Sequence, residues 1–127
     1  MLAGDTPDLK VRYEDKVGLG PCIGMYSFHG RGTLNGTLPH AGLVELAEKT
    51  AKDDKIDIQY FAGLGILTDS AYLQLENEGV AAIELGYPAR YTHTPVEVCS
   101  ISDLERLSEL ASGLVSRLDK KFNLNRY

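Results

Sequence analysis

An apolar run, Val80-Ala81-Ala82-Ile83-Glu84-Leu85, leads straight into Gly86-Tyr87-Pro88 and then into a polar segment that contains Pro95. That junction narrows the folds open to the chain. A run so nearly continuous in apolar character marks a strand buried on both faces, as in a parallel sheet, and Gly and Pro punctuate its end. The segment that follows presents His93 on a Pro-bounded loop. Loops at strand ends are where α/β folds place their functional groups, and neutral imidazole is a common ligand of catalytic zinc. A lone loop histidine is more often solvated or structural than metal-bound, so His93 alone decides little.

The rest of the chain alternates between strand and helix patterns. Asp5 to Gly20 is polar and turn-rich, with Val11 and Tyr13 read as an edge strand. Pro21 to Ser27 reads as a strand after a Gly-Pro stop, and His29 to Asn35 as a glycine-bearing loop. Pro39 suits the first turn of a helix whose apolar face is Leu43, Leu46, Ala47 and Thr50, ending at Asp53-Asp54-Lys55. Ile56 to Phe61 alternates and is β-branched, which predicts a strand. Thr68 or Asp69 is placed to cap a short helix through Asn77, with Gly79 as its left-handed C-terminal residue. Ser102-Asp103-Leu104-Glu105 reads as a capping box. It opens a helix with one apolar face: Leu104, Leu107, Leu110, Ala111, Leu114, Val115 and Leu118. Arg117, Lys120 and Lys121 suit the negative end of its dipole.

Strands alternating with helices predict an α/β fold of three αβα layers: a mostly parallel sheet, right-handed crossovers and helices on both faces. No repeat, low-complexity stretch or linker interrupts residues 1–127, which therefore read as a single domain. The net charge of -5 and the lack of a basic cluster argue against nucleic acid or an anionic membrane as partner. No apolar stretch approaches the ~20 residues that span a bilayer. Met1-Leu2-Ala3-Gly4-Asp5 has neither a basic nor an apolar leader region, so a cytoplasmic location is expected. Cys22 and Cys99 form no Cys-x-x-Cys pair, and both sit in apolar runs. Buried free thiols in a reducing compartment are the expectation.

Four motifs carry a resemblance to a known family. They are Ala3-Gly4-Asp5-Thr6-Pro7, Gly18-Leu19-Gly20-Pro21, Leu67-Thr68-Asp69-Ser70-Ala71, and Arg90-Tyr91-Thr92-His93-Thr94-Pro95-Val96-Glu97-Val98. In order and spacing they resemble those of the metallo-aminopeptidases that include tetrahedral, deblocking and glutamyl aminopeptidases, some once named endoglucanases. The resemblance runs across almost the whole chain. One departure stands out: the family's Gly-Gly before Thr-Asp is replaced by Ile66-Leu67, which makes the approach to Thr68 bulkier and stiffer. The resemblance implies the C-terminal part of a zinc-peptidase-like catalytic domain, with the rest of that domain upstream of Met1.

It further implies that His93 is the last ligand of a two-metal centre (Zn or Co), and that Thr68 and Asp69 line the substrate cleft. Helix capping alone would also explain Thr68 and Asp69, and the two readings are compatible. The family's general base and remaining metal ligands would lie upstream, so no residue of this sequence is expected to be catalytic and metal binding by His93 alone is expected to be weak. In such centres two metals about 3.5–4 Å apart activate a bridging water. Arg90 is expected to orient the loop by hydrogen bonds. Glu97 is either an acceptor for the His93 ring or a solvated carboxylate. Asp5 is expected to fix its turn, and His29 and His40 receive no role. No pair of carboxylates is spaced for glycoside hydrolysis.

The implied function is the C-terminal portion of an aminopeptidase acting on peptides, inactive as an isolated chain. The alternative is a non-catalytic truncated or split-gene product that acts by self-association or through a partner chain. The expected partners are a second copy of the chain or the upstream half of the same enzyme.

Overall fold

A computed structural model describes residues 2–3, 15–30 and 36–125. Asp5, Val11 and Tyr13 lie outside the described residues. The element order is β1 (Leu2–Ala3), β2 (Cys22–Phe28), β3 (Gly36–Thr37), α1 (Ala41–Asp53), β4 (Gln59–Leu64), α2 (Ser70–Leu73), β5 (Leu85–Gly86), β6 (Pro88–Arg90), β7 (Val98–Cys99) and α3 (Ile101–Arg117). This is an α/β fold with two open sheets, one of β1-β6-β7 and one of β3-β2-β4 with β5 also on β2. Its longest pairing, β2 with β4, is parallel, as is β1 with β6. The shorter pairings β2–β3, β2–β5 and β6–β7 are antiparallel.

The core forms on one face of β2. Ile23 packs with Val44 and Ala47 of α1 and Leu114 of α3, and Ile83 and Leu85 close over the group. Ala51, Ile56 and Leu110 extend it. Both long helices therefore cover the same side. The other side carries Cys22 and Phe61, with Ile66 packed on them. Among the described residues no helix is long and apolar enough to cross a membrane.

Local chemistry explains where the elements begin. The first helix is capped by His40, whose Nδ1 accepts the Leu43 N–H at 3.3 Å. Its other ring nitrogen meets the Asn125 carbonyl at 3.0 Å, so His40 ties the C-terminal segment to the start of α1. Sequence reasoning gave this residue no role and put Pro39 in the first turn; Pro39 stands outside the helix. The N-cap of the last helix lies two residues before Ser102, the first residue of the expected capping box. Ser100 is the N-cap and accepts the Asp103 N–H. Asp103 is then released for another partner, the glycine turn: it accepts Gly18 N–H at 2.7 Å and Gly20 N–H at 2.9 Å. Gly18 and Gly20 have φ of +92° and +100°, the left-handed region that glycine occupies without steric cost. The Gly-x-Gly spacing thus turns two N–H groups onto one buried carboxylate.

Three expected elements differ in extent. The predicted strand over Ile56–Phe61 begins instead at Gln59 and runs to Leu64. Ile56 belongs to the helix cluster, and its N–H closes onto the Ala51 carbonyl at the end of α1. The Val80–Leu85 run is half-buried at most and pairs as a strand only at Leu85–Gly86, antiparallel to β2. Upstream its backbone bonds singly, Glu84 O to Gly24 N and Ala82 O to His40 N. The helix expected through Asn77 stops at Leu73. Gln74 is drawn aside to β3, donating to the Gly36 carbonyl and accepting the Leu38 N–H. Asn77 and Gly79 follow with positive φ, Gly79 at +99°.

Candidate active site

His93 stands at the tip of a hairpin. β6 and β7 pair antiparallel through Ala89–Cys99 and Arg90–Val98, so residues 91–97 form the connecting loop. Tyr91 and His93 both have positive φ, +59° and +64°, a conformation that costs non-glycine residues and persists only where neighbours fix it. The neighbours are identifiable. Glu97 accepts the His93 backbone N–H, and Thr94 Oγ1 donates to the Tyr91 carbonyl at 2.7 Å. Arg90 lies over the Tyr91 ring, 5.0 Å from its centroid, and donates to the Tyr91 hydroxyl at 3.1 Å. Arg90 therefore braces the loop by contacts with its neighbour. Glu97 meets the His93 backbone rather than its ring, and the residue is exposed, so of its two expected roles the solvated carboxylate is the one that fits. The His93 side chain is exposed.

Thr68 and Asp69 follow the C-terminal end of β4. Asp69 occupies the N-cap position of α2, but its side chain makes no capping bond. Thr68 does not cap either; its hydroxyl donates to the Glu84 carboxylate. The capping explanation of these two residues is therefore incorrect. Glu84 also accepts from Ser27 Oγ at 3.3 Å. Sequence reasoning missed Glu84, although it is the one charged residue in the Val80–Leu85 run. Ile66, one of the two residues replacing the usual glycine pair, packs on Cys22 and Phe61 and lies over Gly63, where a side chain would collide with it.

The structure thus forms two local groups, His93 with Glu97 on the hairpin and Thr68 with Glu84 and Ser27 at the sheet. They sit on different sheets, and no hydrogen bond joins them among the described residues. Nor do the described residues contain a group of three His, Cys, Asp or Glu able to hold a metal. One exposed imidazole fits a contribution to a metal centre but not a complete one, since catalytic zinc takes about three protein ligands.

The sequence profile of the M42 glutamyl aminopeptidases matches residues 1–110. The chain belongs to this family. Escherichia coli (strain K12) SgcX is 37% identical over 110 residues, covering 87% of this chain and 30% of its own length. The lysyl aminopeptidase of Pyrococcus furiosus is 37% identical over 51 residues, 40% of this chain and 15% of that protein. Among solved structures, the aminopeptidase APDkam598 of Desulfurococcus kamchatkensis superposes with a TM-score of 0.86 at 29% identity, covering 96% of this chain and 33% of its own. The TET aminopeptidase of a marine-sediment Thaumarchaeota archaeon gives 0.82 at 26%, covering 95% and 32%. The chain spans about a third of the length of SgcX and of these two archaeal enzymes.

Proposed function

We propose that this M42 chain forms the C-terminal portion of a two-metal aminopeptidase that removes N-terminal residues from peptides. His93 contributes one metal ligand, and Thr68 and Asp69 line the peptide cleft. The two divalent ions (Zn or Co), when bound, activate the attacking water; the ligands beyond His93 and the general base come from residues outside this sequence. The observation that carries the reading is the hairpin loop of Arg90 to Val98. It holds His93 exposed, in a positive-φ conformation that its neighbours fix. Residues 1–127 act as one domain in this reading, in a cytoplasmic setting that suits two free cysteines.

A second reading has one specific observation in its favour. Exposed Tyr60 and Leu64 lie on β4, which pairs only with β2 among the described residues, and such edges favour association. In it the isolated chain is a non-catalytic protein that binds a second copy of itself or the upstream half of the enzyme.

Two measurements test the proposal. The purified 127-residue chain is expected to release no p-nitroaniline from aminoacyl p-nitroanilides above blank, with or without Zn²⁺ or Co²⁺. A chimera of the Desulfurococcus aminopeptidase, with this chain in place of its matching third, is expected to show EDTA-sensitive turnover that His93→Ala abolishes. Full activity of the His93→Ala chimera would refute the ligand assignment.

A further inference from the structure

We propose that Glu84 is a positioning residue that anchors the Thr68–Asp69 loop to the sheet, a role in peptide binding that rests on the cleft reading above. Sequence alternation puts Glu84 where it is needed. Ile83 and Leu85 point into the core beneath α1 and α3, so the residue between them faces the opposite side of the sheet. That is the side on which Ile66 packs.

Glu84 is itself fixed before it fixes anything else. Its carbonyl accepts the Gly24 N–H at 2.8 Å. Gly24 leaves the space its side chain needs, since a Cβ there would stand 2.9 Å from Glu84 Cβ and 2.9 Å from the Phe61 ring. The carboxylate then accepts from two hydroxyls at the same oxygen, Ser27 Oγ on β2 and Thr68 Oγ1 on the loop. Hydrogen bonds to an ionised acceptor are roughly twice as strong as neutral ones. The loop is thus held at two points, by apolar packing at Ile66 and by the carboxylate at Thr68. Asp69 is presented between this anchor and α2, with no capping bond to turn its side chain inward. Ile66-Leu67 and Glu84 act together: the bulkier approach gives the loop a packed foot, and the carboxylate sets where Thr68 ends up.

The test uses amide hydrogen exchange in the 127-residue chain. Thr68→Val removes the hydroxyl while keeping its shape, and Glu84→Leu removes the acceptor. Glu84→Gln keeps an acceptor oxygen. The Ala71 to Leu73 amides, which donate to the Thr68 and Asp69 carbonyls of the loop, are expected to exchange roughly ten- to a hundredfold faster in Thr68→Val and Glu84→Leu, with β2 and α3 amides unchanged. The double variant should be no faster than either single one, and Glu84→Gln, which keeps a neutral acceptor, should fall between wild type and Glu84→Leu. Unchanged loop exchange in Thr68→Val with intact α3 protection would overturn the proposal, whatever Glu84→Leu does to folding. In the active chimera, Thr68→Val and Glu84→Leu are expected to raise KM about tenfold with kcat largely retained. Faster loop exchange with an unaltered KM would overturn the cleft reading and leave the anchor standing.

Discussion

Asp103, in the first turn of the last helix, accepts the backbone N–H of Gly20 at 2.9 Å across 83 positions of sequence. The same carboxylate takes the Gly18 N–H at 2.7 Å, so one buried side chain joins α3 to the turn that launches β2. Both donors are aimed by left-handed glycines. Removing the carboxylate leaves the buried Gly20 N–H without its acceptor, whereas the N–H of exposed Gly18 can turn to water; a charge-assisted bond of this kind contributes about 1.5–3 kcal/mol. Asp103→Ala is therefore expected to destabilise the chain by roughly 2–4 kcal/mol in urea unfolding. Asp103→Asn should fall between, because its amide NH₂ must face one of the two N–H donors. A midpoint equal to wild type for Asp103→Ala would show that the turn holds without its acceptor.

The apolar face of α3 makes a second, contrasting pair. Leu110 is fully buried against Ala51 and Ile56, whereas Val115 is 66% exposed. Leu110→Ala is expected to cost about 2–5 kcal/mol, the range for large-to-small changes in a packed core. Val115→Ala should stay within about 0.5 kcal/mol, as surface substitutions do. Equal losses at the two positions in chemical denaturation would mean that the helix docks through a wider face than Leu110 and Leu114 define.

These particulars show what the sequence could and could not reveal. The last helix was legible because a 3.6-residue period over many turns has no strand interpretation. Its start was not, since Ser100 and Ser102 both have good capping chemistry and only tertiary structure assigns Asp103 to Gly18 and Gly20. The Ile56–Ile58 alternation misled for a physical reason. Both side chains pack with the helices, and apolar alternation does not reveal whether its partner is a strand or a helix. Val80–Leu85 misled in the opposite way: Glu84, the single charged residue in the run, marked a side chain that faces away from the core. For the candidate site, the loop that carries His93 was legible through the turn residues around it, and its ligand role belongs to the proposed function. The grouping of Glu84 with Ser27 and Thr68 was not legible, because Glu84 meets those two hydroxyls only once the sheet is assembled.

Thiol chemistry gives a third prediction. Cys22 is buried, and desolvation first, then the charges of Asp15 and Asp103, push its thiol up to about 12 from the usual 9.0. Cys99 is only half-buried. Iodoacetamide near pH 8 should therefore modify Cys99 and spare Cys22 until denaturant is added. The stability consequence has a definite sign. With its pKa raised in the folded state, Cys22 holds its proton more tightly there than in the unfolded chain. Its contribution is fully present below about 9 and is lost as pH rises from 9 towards 12. The decline in stability over that window should be shallower in Cys22→Ala, and an identical slope would assign the alkaline loss to other groups.

Association gives the last prediction. The segment Gln59-Tyr60-Phe61-Ala62-Gly63-Leu64 contains no charge and no proline, the two devices that keep an edge strand from pairing with another chain. Among the described residues β4 pairs only with β2, and Leu64 at its end is 79% exposed. The chain is expected to sediment as a dimer or larger species at micromolar concentration. Leu64→Lys places a charge on that edge without touching the packed Phe61 or the anchored Thr68, and it should shift the population towards monomer with no loss of helical signal. A wild-type chain that is monomeric throughout this range would show that the edge does not drive association. A dimer unaffected by Leu64→Lys would move the contact to another of the exposed apolar groups, such as Val96, Val98 and Ile101 beside the His93 hairpin.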